Sequence, residues 1–223
     1  MFLSIITRCC RRPDLLKQNI QSVENQTSDK WEQLFLVDPT GNHKEDPILW
    51  ANKQFLKAAP FIKGDYVYPL DDDGVMVDQQ VFEKVLDACH DAPDVVLVKI
   101  VTPYYDGELR QWPQPELWDL DWENGARPDK WAGNGYNVYT KADIWRKHLS
   151  HYHHHAGGDW HYITSLIKAD LYIKRVDIIS ARSTMRGHGV IFEKCGTDWF
   201  EPFEKEYGLK KVRRNIWRLN HSE

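Results

Sequence analysis

The sequence predicts an α/β fold with a mostly parallel central sheet and helices on both faces. Three observations predict it. Short apolar runs alternate along the chain with stretches whose apolar residues recur at helical spacing. The chain opens with a strand, a short polar turn and a helix, the start of a nucleotide-binding α/β unit. A further apolar run, Gly64-Asp65-Tyr66-Val67-Tyr68-Pro69-Leu70, ends abruptly in Asp71-Asp72-Asp73-Gly74. The carboxyl end of a strand in an open α/β sheet faces the binding crevice.

The first strand is Leu3-Ser4-Ile5-Ile6-Thr7. Arg8 to Arg12 form the turn, and Pro13 suits the first turn of a helix carrying Leu16, Ile20 and Val23. Thr7 and Arg8 sit where a nucleotide would lie. Arg8, Arg11 and Arg12 have the donors to meet phosphate oxygens, although a solvated basic loop is the preferred reading for Arg11 and Arg12. Leu34-Phe35-Leu36-Val37 is the second strand, ending in Asp38, whose carboxylate can accept hydrogen bonds from a base or ribose. Ile48 to Ala59 reads as a helix stopped by Pro60.

The acidic strand follows. Side chains alternate along a strand, so Asp71 and Asp73 are expected on one side and Asp72 on the other. Two carboxylates on one side suit a hard divalent cation, Mg²⁺ or Mn²⁺, completed by water and substrate phosphates. The alternative is an acidic, solvated turn. Three carboxylates with no neighbouring Lys or Arg in sequence would repel one another, which favours the metal.

Val81, Val85, Leu86 and Cys89 mark the next helix, and Val95 to Val101 a buried parallel strand. Tyr104-Tyr105-Asp106-Gly107-Glu108 predicts a hairpin with an Asp-Gly turn. Trp112, Trp118, Trp122 and Trp131 then crowd a proline-rich stretch. Their faces are candidate platforms for sugar rings, and filling the core is the competing role. Gly135 to Tyr139 is a strand and Lys141 to Leu149 a helix. His151, His153 and His155 would share one side if extended, but a polar loop is favoured over zinc because no Cys or Glu-x-x-His accompanies them. Asp159 starts a helix with apolar positions Trp160, Ile163 and Ile167, and its plainest role is the N-cap. Leu171 to Ile179 is a strand, and Ser183 to Gly189 a loop holding His188. The tail from 196 to 223 interleaves Lys210, Lys211, Arg213, Arg214 and Arg218 with apolar residues. It predicts a basic amphipathic helix that touches an anionic membrane surface or docks on its own domain.

At 223 residues the chain is one domain or one domain with a small appendage. A net charge of −4 argues against nucleic acid as a partner. No stretch approaches a membrane span, and the apolar run from Phe2 to Ile6 is too short for a signal peptide. Cys9, Cys10, Cys89 and Cys195 show no CxxC spacing, which fits free thiols in a reducing cytosol.

Taken in order, the Ser4-Ile5-Ile6-Thr7-Arg8 strand, Asp38, the Gly64 to Asp73 strand, Gly158-Asp159-Trp160 and His188 resemble family 2 glycosyltransferases of the GT-A fold. The resemblance covers roughly residues 2 to 190. It implies a Rossmann-like αβα sandwich, with residues 1–195 as the glycosyltransferase domain, 1–110 binding the nucleotide sugar and 111–195 the acceptor. It implies Mn²⁺ or Mg²⁺ on Asp71 and Asp73, joined by His188, with Asp72 near the ribose or sugar. Thr7, Arg8 and Asp38 would surround the nucleoside, and Asp159 would be the catalytic base. The Glu that precedes the base in the family is Gly158 here. The implied donor is a nucleoside diphosphosugar, a UDP-sugar foremost, and the acceptor a carbohydrate or glycolipid. The implied location is cytoplasmic, with the tail peripheral to the membrane.

The chemistry matches these residue types. A departing nucleoside diphosphate develops charge that a metal neutralises, and an attacking hydroxyl needs a carboxylate to take its proton. Two other readings compete with inverting glycosyl transfer. A nucleotidyltransferase or metal-dependent phosphohydrolase would also use the acidic cluster, though no P-loop is present. A noncatalytic sugar-binding module would use the tryptophans and have no need of Asp71 to Asp73.

Overall fold

Period-two patterning sorts the strand residues into two cores, one on each face of a sheet. In β1 (Leu3–Cys9), Leu3, Ile5 and Cys9 join one core and Ile6 the other. In β2 (Trp31–Val37), Trp31, Phe35 and Val37 go with the first, and Leu34 and Leu36 with the second. Helix α1 (Pro13–Glu24) covers the first face with Leu16, Ile20 and Val23, and α3 (Val81–Ala88) covers it with Val81, Phe82 and Val85. The second face is covered by α2 (Pro47–Ala58), α5 (Ala142–His148) and α6 (Gly158–Lys168), through Phe55, Trp145, Tyr162 and Ile163. The computed structural model describes residues 1–9, 12–37, 47–103, 107–122, 137–153, 158–183 and 198–220.

The remaining elements are β3 (Tyr66–Pro69), β4 (Gly74–Met76), β5 (Val95–Pro103), β6 (Leu109–Trp112), α4 (Pro115–Trp118), β7 (Val138–Lys141), β8 (Ile173–Ser183), α7 (Glu201–Glu206), β9 (Lys210–Arg213) and β10 (Ile216–Asn220). Among the described residues the strands form one sheet in the order β4-β8-β5-β7-β3-β1-β2-β10-β9, with β6 hairpinned onto β5. Strands β2, β1 and β3 are mutually parallel, as are β5 and β8, and β7 lies antiparallel between β3 and β5. Five of the six central strands therefore run the same way, as the apolar runs predicted. The hairpin at β5 and β6 also forms, with Gly107 at φ +90, a conformation that glycine adopts without strain.

Gly64 sets the close approach of β3 to β1: a Cβ there would lie 2.5 Å from the Ser4 backbone nitrogen. Beside it runs a buried polar chain. Gly64 N donates to Ser4 Oγ, which donates to Glu32 Oε1 at 2.6 Å. Arg218 Nε lies 2.7 Å from Glu32 Oε2, close as an ion pair though not aligned as a hydrogen bond.

That pair corrects the reading of the tail. Residues 210 to 220 form no amphipathic helix. Instead β9 and β10 make an antiparallel hairpin whose β10 pairs with β2, register Trp217 to Phe35. Trp217 and Leu219 pack in the first core and Ile216 in the second, an alternation of period two that the interleaved basic residues disguise. The docked alternative is the one realised, and the expected membrane contact loses the helix it rested on. No helix among the described residues is long and apolar enough to cross a membrane. Cys9 and Cys89 are buried, and burial pushes the Cys89 thiol up to about 12. Cys10 and Cys195 lie outside the described residues.

Candidate active site

The acidic stretch leaves β3 as a turn. Gly74 N donates to the Asp71 carbonyl at 2.8 Å, which ends the strand's alternation and starts β4. The three carboxylates consequently diverge. Asp71 points to the α2 and α6 face, where Arg8 grips both of its oxygens, Nε to Oδ1 at 2.6 Å and an Nη to Oδ2 at 2.5 Å. Asp72 turns towards α1, is fully buried, and pairs with Arg12. Asp73 lies 3.6 Å from Arg12 and accepts from Ser183 Oγ at 3.4 Å. Two expectations are corrected here. The strict alternation is not kept, since Asp72 and Asp73 share Arg12 while Asp71 holds Arg8, and the cluster is not uncompensated. Arg8 and Arg12 arrive from the end of β1, distant in sequence and adjacent in space. Arg12, read as solvated, is 11% exposed in its side chain.

Asp159 lies in the first turn of α6, whose helix dipole favours a carboxylate. Its side chain is 28% exposed and lies 3.9 Å from the same Arg8 guanidinium. Gly158 and Asp159 are the first two residues of the helix. Arg8 therefore bridges the end of β3 and the start of α6. It lies over Phe55, 4.6 Å from the ring centroid. Phe55 packs against Tyr152 at 4.8 Å, and Tyr152 stacks on Tyr162 at 4.4 Å. Tyr162 donates to Thr140 Oγ1 at 2.8 Å, which anchors this aromatic floor to β7. Tyr152 is fully buried, and its hydroxyl has no hydrogen-bond partner among the described residues. Burial first, then Tyr162, Asp159 and Asp71, hold its phenol well above the usual range, while Arg8 opposes them.

Other expected site residues fall elsewhere. Thr7, expected beside the nucleoside, has its side chain in the interior on the α1 face, accepting from Gln33 Nε2 at 2.8 Å. Asp72, expected at the ribose or sugar, is sealed against Arg12. Asp38 and His188 lie outside the described residues, as do Arg11, Trp131, His154 and His155. Leu149–His153 is a 3₁₀ turn and not extended, and His151 stacks on His148 at 5.8 Å. Trp118 and Trp122 are buried in the second core, with Arg175 over both rings at 5.9 and 5.4 Å. Of the described tryptophans in that segment only Trp112 is partly exposed, and its indole donates to Thr102 Oγ1 at 3.1 Å.

Asn19 is the positioning residue that sequence reasoning missed. From the buried face of α1 its amide donates to the carbonyls of Asp71 at 3.0 Å and Gly74 at 2.7 Å, and its oxygen accepts from Gln33. The available signal was a polar residue on the apolar stripe of Leu16, Ile20 and Val23.

Among the described residues no three His, Cys, Asp or Glu side chains converge on one point. The donor chemistry still fits a divalent cation. Asp71 and Asp73 are partly exposed hard-oxygen ligands, 18% and 13% exposed, and a guanidinium already stands in as the cation on Asp71. One or two carboxylates suffice where substrate phosphates complete the shell.

The sequence matches no family model and no curated protein. Solved structures do match. The chain superposes on S. aureus TarS residues 1–349 with a TM-score of 0.60 at 13% identity, covering 82% of this chain and 60% of that one. The fold is of the GT-A type. In this GT-A frame the acidic turn follows β3, and α6 brings Asp159 to within 3.9 Å of Arg8. TarS 1–349 in complex with UDP-GlcNAc matches with a TM-score of 0.60 at 12% identity, over 85% of this chain and 60% of that one. The complex with UDP matches at 0.57 and 13% identity, over 83% and 61%. This chain spans less than two thirds of the length of those GT-A structures.

Proposed function

We propose that the protein is an inverting glycosyltransferase that moves a sugar from a nucleoside diphosphosugar to an acceptor hydroxyl. The observation that carries this reading is Arg8 joining Asp71, after β3, to Asp159, at the start of α6, in a GT-A fold. Arg8 touches Asp71 and lies 3.9 Å from Asp159, so a diphosphate-side group and the carboxylate at the start of α6 flank the same cation. Asp159 accepts the proton of the acceptor hydroxyl as it attacks. Arg8 offers guanidinium donors to diphosphate oxygens. The aromatic floor of Phe55, Tyr152 and Tyr162 keeps this side of the crevice dry. Attack from the base side, opposite the leaving group, inverts the anomeric centre.

Asp71 and Asp73, with His188, would hold Mn²⁺ or Mg²⁺. When bound, the cation neutralises charge on the departing diphosphate. The UDP and UDP-GlcNAc complexes of the TarS structures support a UDP-sugar as donor. The acceptor in this reading is a carbohydrate or glycolipid.

The test is calorimetry of UDP and UDP-GlcNAc with and without Mn²⁺, followed by transfer from a radiolabelled donor and NMR of the product anomer. Metal-enhanced UDP binding and an inverted product are expected. Hydrolysis of the diphosphate bond without sugar transfer would move the assignment to a phosphohydrolase. Sugar binding with no affinity for UDP would make the chain a binding module.

A further inference from the structure

Arg8 closes a two-toothed fork on Asp71, at 2.6 and 2.5 Å, and so engages both carboxylate oxygens. A divalent cation needs at least one of those oxygens at about 2.0–2.2 Å and competes there with the guanidinium for the same negative charge and the lone pairs that face the fork. The two occupants of Asp71 compete with each other. The neighbouring pair differs in kind: Asp72 is fully buried against Arg12, a fixed part of the interior. Asp71 and Arg8 are 18% and 12% exposed, and Arg8 has a second carboxylate within reach at Asp159, 3.9 Å away. Its contact with the Phe55 ring can hold the guanidinium in place while the fork turns from one carboxylate towards another group.

We propose that Arg8 is an exchangeable internal counter-ion: it occupies Asp71 in the donor-free protein and transfers to the donor's diphosphate, which frees Asp71 for the divalent cation. The inference rests on the glycosyltransferase reading for the diphosphate and on the fork alone for the competition. Arg8 is a positioning residue for the cation site. It keeps that site closed to a cation without a nucleotide, and it couples the two ligands. By linkage, UDP strengthens Mn²⁺ binding by the same factor as Mn²⁺ strengthens UDP binding.

The experiment titrates Mn²⁺ alone into the full chain, then Mn²⁺ in the presence of saturating UDP, for the parent, Arg8→Gln and Arg8→Lys. Binding is followed by calorimetry and by the EPR signal of free Mn²⁺, and folding by the urea midpoint. Arg8→Gln should bind Mn²⁺ alone roughly ten- to a hundredfold more tightly than the parent, the worth of a charge-assisted pair removed from competition. Its coupling to UDP should shrink by a similar factor. Arg8→Lys, with the charge but no fork, should fall between. Structural damage weakens metal binding, so a gain of affinity cannot arise from it. A folded Arg8→Gln that binds Mn²⁺ no more tightly than the parent overturns the proposal. If that variant does not fold, parent-level affinity in Arg8→Lys overturns it. If Arg8→Gln gains Mn²⁺ affinity while neither protein binds UDP, the competition stands and the glycosyltransferase reading falls.

Discussion

The side-chain amide of Asn19 donates to the carbonyl oxygen of Gly74 at 2.7 Å. The same nitrogen reaches the Asp71 carbonyl, so one α1 residue ties both ends of the acidic turn. Asn19→Ala leaves two carbonyls and the Gln33 amide short of partners inside the protein. It should cost about 1–3 kcal/mol, the penalty of stranding buried polar groups, and weaken UDP binding by loosening the turn. Urea denaturation and calorimetry measure the two effects. A fully stable variant with parent affinity would remove Asn19 from the site's support.

Asp159→Asn separates a base from a structural carboxylate. Asn keeps the shape and the polar contacts of the first turn of α6. Turnover should fall by roughly two to four orders of magnitude, the usual worth of general base catalysis. Donor affinity and stability should stay near the parent. Parent-level kcat would leave the crevice without a base.

The tryptophan-rich segment divides by burial. Trp122 is 7% exposed in the second core, so Trp122→Ala should lose about 3–5 kcal/mol of stability. Trp112 is partly exposed in β6, so Trp112→Ala should raise the acceptor KM more than the donor KM. Equal KM changes for both substrates would make Trp112 a packing residue as well.

Glu32 and Arg218 fasten the C-terminal hairpin to β2. Glu32→Ala leaves Arg218 beside an empty buried site and should cost about 3–5 kcal/mol. The double variant Glu32→Leu, Arg218→Met should be markedly milder, because no charge remains unpaired. Equal losses in single and double variants, measured by urea denaturation, would contradict the pairing.

Much of the architecture was legible because it follows from local pattern. The runs at Leu34 to Val37 and Val95 to Val101 are apolar on both faces and fall in β2 and β5. Pro13 opens α1 as its fixed φ dictates. The tail was misread because Leu209, Val212, Ile216 and Trp217 satisfy a helical spacing loosely. Only the open edge of β2 and the buried Glu32 select strands there. Asn19 was passed over because a single polar residue on an apolar stripe does not reveal what it faces.

The sequence by itself determined an α/β chain, an acidic turn at the end of one strand and a lone carboxylate at the start of a later helix. Each is a matter of local order, written in neighbouring residues. Tertiary structure alone decided which charges meet. Arg8 and Asp71 are 63 residues apart, and Arg12 and Asp72 are 60 apart. No local pattern encodes those pairings. They exist because β1 lies parallel to β3 in a register that brings the carboxyl ends of both strands together. There, burial makes an unpaired carboxylate too costly to leave without its arginine.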